Sequence, residues 1–505
     1  MKIFIMDTTL RDGEQTSGVS FTASEKLNIA RLLLEDLNVD RIEIASARVS
    51  EGEYQGARMI FDWAGEHGLL ERVEVLGFVD GDVSLKWIEK AGGRVNNLLM
   101  KGSLKHCTNQ LRKTPEEHIA DVKNVLAVAR DMGIRMNIYF EDWSNGMRNS
   151  PEYMYQALDA LKDESIERYM LPDTLGILNQ QETYDFCLDM INRYPGLNFD
   201  FHAHNDYDLA TANVYSAIKA GITGIHTTVN GLGERAGNVP LSSVIGVVKD
   251  HFKYDMSIRE DRLYHVSKII ESFSGIRIPA NKPLIGENVF TQTSGIHADG
   301  DHKDDLYFND LLPERFGRKR TYALGKMSGK ASILKNLEEL GIELSKEDMK
   351  LVTERVIELG DKKEIITKED LPYIISDVLR SKRVAEKIRI RNFQLSVARG
   401  LRSVATVAIE VDCQVHEETA SGDGQYDAFM KALWKIYDKL EKKYPTLTDY
   451  VVSIPPGGKT DALVECTITW DYDGNIIKTR ALDPDQTVAA IKCTTRMLNI
   501  IESYG

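Results

Sequence analysis

Eight short runs rich in β-branched and aromatic residues recur through the first 275 residues, and a longer amphipathic stretch separates each from the next. They lie at 2–7, 41–45, 73–79, 96–100, 135–141, 168–174, 197–204 and 224–230. Strands that alternate with helices pair in parallel through crossover connections. The first connection shows how its helix is specified. Thr22-Ala23-Ser24-Glu25 has the spacing of a capping box, and Ala30, Leu33, Leu34 and Leu37 then fall on one face. Eight such units in about 250 residues match a closed (β/α)₈ TIM barrel better than an open doubly wound sheet. No Gly-rich dinucleotide fingerprint follows the first run, which also favours closure.

Beyond residue 275 the texture changes. Residues 276–309 are loop-rich, and 311–377 read as helices with polar faces, a linker subdomain rather than a third core. A basic stretch at 380–391 precedes a second β-rich block. There, 405–415, 450–455 and 461–472 read as strands and 426–444 and 487–503 as helices, which makes a separate α+β domain. The expected organisation is a barrel at 1–275, linker subdomains at 276–388 and a third region at 389–505, with no repeat beyond the barrel's own.

Composition narrows the function classes. At 505 residues the chain exceeds what one core supports. A formal net charge of −14 excludes the basic surface that nucleic-acid binding needs, while leaving room for small anionic ligands. Five cysteines without CxxC spacing form neither a disulfide framework nor a thiolate metal site. No signal-peptide pattern and no run of membrane-spanning length is read, so the cytoplasm is the expected compartment.

In such a barrel the C-terminal ends of the strands carry the chemistry. The first strand runs into Asp7-Thr8-Thr9-Leu10-Arg11-Asp12-Gly13-Glu14-Gln15, and the seventh ends in Phe201-His202-Ala203-His204-Asn205-Asp206. Residues i and i+2 of a strand point the same way, so His202 and His204 face one point above the mouth. Two imidazoles and a carboxylate, Asp12, make an open catalytic metal site. The eighth strand leads into Asn230-Gly231-Leu232-Gly233-Glu234-Arg235-Ala236-Gly237-Asn238, where the Asn238 amide can complete the shell. The Thr174 hydroxyl, at the sixth strand's end, can bind a carboxylate. Glu141, ending the fifth, reads either as part of the site or as a salt-bridged rim carboxylate.

Leu10-Arg11-Asp12-Gly13-Glu14-Gln15, His202-x-His204-Asn205-Asp206 and Gly233-Glu234-Arg235-x-Gly237-Asn238 together resemble the LeuA-type acyltransferases, the isopropylmalate, homocitrate and citramalate synthases. The resemblance extends to Ser294-Gly295-Ile296-His297-Ala298-Asp299-Gly300 after the barrel and to a C-terminal allosteric domain containing residues 453–462. It implies condensation of acetyl-CoA, as co-substrate, with a 2-oxo acid. It assigns the divalent metal (Mn, Zn, Mg or Co) to Asp12, His202 and His204 with Asn238 nearby. It makes Arg11 a donor to the developing alkoxide, His297 the base or its relay, and Glu141 and Tyr307 its assistants. It further implies a homodimer in which the His297 segment reaches the partner's barrel.

Within the family the resemblance is to the citramalate subgroup, where Leu76, Leu99 and Tyr139 match the substrate-pocket positions and imply pyruvate. Thr174 would hold its carboxylate. 2-Isopropylmalate synthesis from 2-oxoisovalerate is the alternative. Tyr426, Leu447, Tyr450, Ile454, Val464, Pro484 and Gln486 match the effector pocket and imply feedback inhibition by a branched-chain amino acid, isoleucine. Outside the family, a metal-dependent barrel hydrolase, an acyl-CoA lyase and a non-catalytic CoA-binding protein are the competing readings.

Overall fold

Eight strands close into a parallel barrel in chain order: β1 Phe4–Asp7, β2 Arg41–Ser46, β3 Val73–Phe78, β4 Val95–Lys101, β5 Arg135–Glu141, β6 Tyr169–Asp173, β7 Phe199–Ala203 and β8 Gly224–Thr227, with β8 pairing back on β1. The computed structural model describes residues 1–294, 296–297, 300, 306–361, 366, 368–379, 387–411, 414–453 and 464–504.

Period-two alternation sorts the strand residues between two environments. Ile42 and Ile44 of β2, Ile138 and Phe140 of β5, Phe199 and Phe201 of β7 and Ile225 of β8 join one apolar cluster with helix residues such as Ile29, Leu33 and Ile60. Their neighbours Glu43, Tyr139, Asp200, His202 and His226 are just as buried but lie on the other face, inside the barrel. Barrel interiors are usually layers of branched apolar side chains. This one is polar at its lower levels. Arg41 donates to Asp200 (2.9 Å), Arg168 pairs with Glu74, and Asn137 donates to Asn97 (2.8 Å). Near the mouth Met6, Leu76, Tyr139 and Met170, with Leu99 against them, form a small separate apolar cluster.

The first crossover helix, Ala23–Arg31, starts at the expected capping box. The Thr22 hydroxyl accepts the Glu25 N–H, and the Glu25 carboxylate accepts the Thr22 N–H. Ala30, Leu33, Leu34 and Leu37 are all buried, Leu33 and Leu34 on a wider helical turn that continues the helix and Leu37 at its C-terminal cap. Four strands end earlier than their runs suggest, β3, β6 and β7 by one residue and β8 by three. β8 stops at Thr227 because Asn230 takes a left-handed conformation (φ 62°) in a tight turn. β7 stops at Ala203, and His204 instead bridges to Asn238.

The barrel belongs to a unit comprising Met1–Thr291 and Phe308–Arg320; a second unit comprises Gln292–Tyr307 and Thr321–Gly505. Residues 308–320 join the barrel unit because Arg315 pairs with Asp250 (2.8 Å) and Glu260 (3.0 Å) and Phe316 stacks on Phe290.

In the second unit the middle region, expected as a linker subdomain rather than a third core, has a core of its own. Ile333 and Leu337 of helix Lys330–Glu339 and Met349, Val352 and Val356 of helix Lys346–Asp361 bury together with Leu324, Ile366, Leu371 and Ile374. Their apolar stripes are narrow, so polar residues dominate each window of sequence.

The C-terminal region repeats one element order, strand–strand–strand–helix, which the sequence reading does not anticipate. Strands β9 Ile388–Ser396, β10 Ser403–Val411 and β11 Gln414–Gly422 form one antiparallel sheet, followed by helix Gln425–Lys439. Strands β12 Thr446–Ser453, β13 Val464–Tyr472 and β14 Asn475–Asp483 form another, followed by helix Gln486–Tyr504. The expected single strand 405–415 is two strands. β9 lies partly in the supposed basic stretch, β11 is anticipated only at its first two residues, and β14 is not anticipated. No helix among the described residues is long and apolar enough to cross a membrane.

Candidate metal centre at the barrel mouth

The loop after β1 is wound so that Asp12 sits over the mouth. The N–H groups of Arg11, Asp12 and Gly13 all donate to the Thr8 carbonyl (3.1, 2.8 and 3.1 Å). A buried lysine absent from the sequence reading, Lys26, holds this loop from below. Its ammonium reaches the Leu10 carbonyl (3.3 Å), Glu14 (2.6 Å) and Glu53. From β7, both histidines point their Nε2 atoms at the same carboxylate oxygen. His202 Nε2 and His204 Nε2 lie 3.5 and 3.8 Å from Asp12 Oδ2 and 3.3 Å from each other.

Two ligands each about 2.1 Å from a shared cation are about 3.0–3.4 Å apart at ordinary coordination angles. The histidine pair lies within this range and the two histidine–carboxylate separations are a few tenths of an ångström beyond it, so small side-chain adjustments let the three atoms share one ion. Their charge states fit as well. Burial pushes both imidazoles well toward the neutral form, which leaves a lone pair for a metal. Burial alone would favour a protonated Asp12, but the Arg11 guanidinium beside it (2.6 Å) keeps it a carboxylate, well below the usual range. Asn238 donates its amide N–H to Asp12 Oδ1 (2.8 Å), and its Oδ1 is buried without a hydrogen-bond partner. Glycine is required at Gly233, where φ is +151° and an added Cβ would run into Asn238 Nδ2.

Arg11 is held by a residue that sequence reasoning missed. Glu43 of β2, fully buried, accepts from Arg11 Nε (2.6 Å) and Asn97 Nδ2 (2.7 Å), and lies 2.6 Å from Arg11 Nη2. Only the alternation of Glu43 with Ile42 and Ile44 signalled that it faces the interior. Tyr139 stands edge-on to His202 (6.1 Å between centroids), and its hydroxyl accepts from Arg11 Nη2 (3.4 Å). Leu76, Leu99 and Tyr139, expected as pocket residues, are brought together beside this centre. The Thr174 hydroxyl accepts the Asp142 N–H (2.9 Å), and Glu141 is ion-paired with Lys101 at the end of β5. His297 and Tyr307 belong to the second unit, where their rings lie 4.2 Å apart.

Of the expected effector residues, Tyr426 and Tyr450 stack (5.5 Å), and Tyr426 shares a hydrogen bond with Thr494 (2.7 Å). Leu447 is on β12 with Tyr450. Val464 pairs with Asp483, the neighbour of Pro484, and Gln486 opens the last helix. Ile454 lies outside the described residues.

The HMGL-like family matches residues 2–270, the homocitrate synthase post-HMGL domain-like family 284–364, and the LeuA allosteric (dimerisation) domain 365–502. The chain is 32% identical over 510 residues to the (R)-citramalate synthase of Methanocaldococcus jannaschii, covering 99% of this chain and all of that one. The chain belongs to the LeuA-type acyltransferases. Members of this family carry out acetyl-CoA-dependent condensation. Identity does not select the oxo acid, because the 2-isopropylmalate synthase of the same organism is also 32% identical, over 511 residues, covering 99% of this chain and 95% of that one. Among solved structures the chain is similar to an HMG-CoA lyase of Bacillus subtilis, at 20% identity and a TM-score of 0.48, over 55% of this chain and 96% of that one.

Proposed function

We propose that this LeuA-type acyltransferase condenses acetyl-CoA with pyruvate and water to give (R)-citramalate and CoA, the entry to isoleucine synthesis. The observation that carries the substrate choice is the apolar cluster of Leu76, Leu99, Tyr139, Met6 and Met170 beside the histidine–aspartate centre. Its one polar atom, the Tyr139 hydroxyl, is committed to His226 and Arg11. Such a surface suits a methyl group and offers nothing to the far carboxylate of an oxo diacid.

Asp12, His202 and His204, with Asn238 beside them, would hold a divalent cation, which would supply Lewis-acid polarisation of the oxo acid's carbonyl. The chain's own residues do the rest. Arg11, braced by Glu43, presents a fixed positive donor toward the oxygen on which charge develops. Thr174 retains its hydroxyl proton for the substrate carboxylate, since its oxygen accepts from Asp142 N–H. His297, with Tyr307 beside it and Glu141 as assistant, takes the proton from the acetyl methyl group, a task suited to an imidazole. Thioester hydrolysis then makes the condensation irreversible.

The match to the LeuA allosteric (dimerisation) domain supports a homodimer with a regulatory C-terminal region. Isoleucine as the effector, bound near Tyr426, Leu447, Tyr450, Val464, Pro484 and Gln486, follows from the same reading. The test is thiol release from acetyl-CoA with a panel of oxo acids. Pyruvate should give the highest kcat/KM, whereas a preference for 2-oxoisovalerate would make the protein a 2-isopropylmalate synthase.

A further inference from the structure

Inside the barrel, a line of hydrogen bonds runs from Asp200 through His226 to Tyr139 and Arg11. At its foot Asp200 of β7 accepts from Arg41 Nη2 (2.9 Å), with Arg168 Nε a further 3.7 Å away. A carboxylate paired with arginine only accepts. His226 Nε2, 3.2 Å from Asp200 Oδ2, therefore donates a proton to it, and in the Nε2–H tautomer His226 Nδ1 is left as an acceptor. Nδ1 lies 2.9 Å from the Tyr139 oxygen. The phenol donates to it and keeps its lone pairs for Arg11 Nη2 at 3.4 Å. Glu43 Oε2 is a rival acceptor for the phenol at 3.5 Å, the outer limit of a hydrogen bond, and is already occupied by Arg11. All three side chains of the line are nearly fully buried, so no water competes for these groups from bulk solvent.

We propose that His226, fixed as its Nε2–H tautomer by Asp200, is a positioning residue that turns the Tyr139 hydroxyl away from the substrate pocket and toward Arg11. The device acts twice on the reaction proposed above, on which it rests. It keeps the pocket face of Tyr139 apolar, and it gives the Arg11 guanidinium a third anchor beside Glu43 and Asp12. Without His226 the phenol proton is free to point at Arg11, where it repels the guanidinium, or into the pocket, where it binds water.

The claim is tested first without turnover. With ¹⁵N-labelled histidine in the full-length wild-type protein near pH 7.5, the His226 signals, assigned by their loss in His226→Asn, should be those of an Nε2–H tautomer. In Tyr139→Phe the Nδ1 shift should move toward that of an unbonded acceptor. An Nδ1–H tautomer or an imidazolium in wild type would overturn the proposal. The second test is a double-mutant cycle in thiol release from acetyl-CoA and pyruvate. His226→Leu and the smaller polar His226→Asn should each lower kcat/KM about tenfold, one misdirected buried hydrogen bond, and should cost less than twofold further in the Tyr139→Phe background. Losses that simply multiply would make His226 a packing residue only. If wild type releases no thiol with any oxo acid, the proposed reaction is wrong, while the tautomer measurement still decides the hydrogen-bond line.

Discussion

Replacing Glu43 with glutamine removes one charge and almost no volume, and its effect can be worked from the contacts it breaks. Glu43 is fully buried and accepts two charge-assisted contacts from Arg11 at 2.6 Å and one from Asn97 at 2.7 Å. Glutamine keeps one oxygen but turns an NH₂ group toward donors that need an acceptor. A charge-assisted hydrogen bond contributes about 1.5–3 kcal/mol, and breaking a buried ion pair costs about 3–5 kcal/mol. Asp12 still balances Arg11 in part, so a loss of about 3 kcal/mol is expected, roughly a hundredfold if all of it falls on the site. The displaced guanidinium then leans on Asp12 Oδ2, the oxygen both histidines face, and competes there with a bound cation. Glu43→Gln should therefore weaken Mn²⁺ binding, measured by titration calorimetry, by about tenfold or more, and lower kcat/KM for thiol release by ten- to a hundredfold. Metal affinity and turnover both within threefold of wild type would refute this account of what holds Arg11.

Other consequences can be checked separately. Burial pushes the Asp7 carboxyl up to about 6, against hydrogen bonds from Thr9 and Thr227. Its folded value lies above its unfolded one, so its stabilisation is complete below about pH 4 and about 3 kcal/mol is lost as pH rises through 6. Urea midpoints between pH 4 and 7 should fall more steeply for wild type than for Asp7→Asn, and parallel curves would contradict this. Leu76→Ala opens space in the apolar cluster and should shift the kcat/KM ratio of 2-oxoisovalerate to pyruvate upward by about tenfold or more; an unchanged ratio removes Leu76 from the pocket. Tyr450→Ala breaks the stack on Tyr426 and should raise the isoleucine concentration for half-inhibition at least tenfold, whereas unaltered inhibition would move the effector site elsewhere.

The barrel was legible because its outward strand faces alternate cleanly with buried partners, and the run at 135–141 is the observed strand β5 to the residue. The site's outline was legible for the same reason. His202 and His204 share a parity, and Asp12 follows the strand that ends beside them. Partners across the barrel were not legible. Alternation indicates that Glu43, Asp200 and His226 face inward, but not that Glu43 meets Arg11, 32 residues earlier, or that His226 lies between Asp200 and Tyr139. Strands β9 and β14 and most of β11 escaped notice because charged and polar residues occupy their exposed positions, as on Arg389 and Arg391 of β9. Lys26 has no counterpart in the sequence reading, since nothing local reveals that its ammonium folds under the loop carrying Asp12.

The central claim is that Asp12, His202 and His204 hold one divalent ion on which a 2-oxo acid is oriented. It is tested most directly by the water-proton relaxation enhancement of Mn²⁺ bound to the full-length protein. The account predicts one bound ion per chain, lost in His204→Ala, whose relaxivity falls as pyruvate is added because the oxo acid replaces coordinated water. Relaxivity that pyruvate leaves unchanged while the Mn²⁺ enzyme turns over would contradict it.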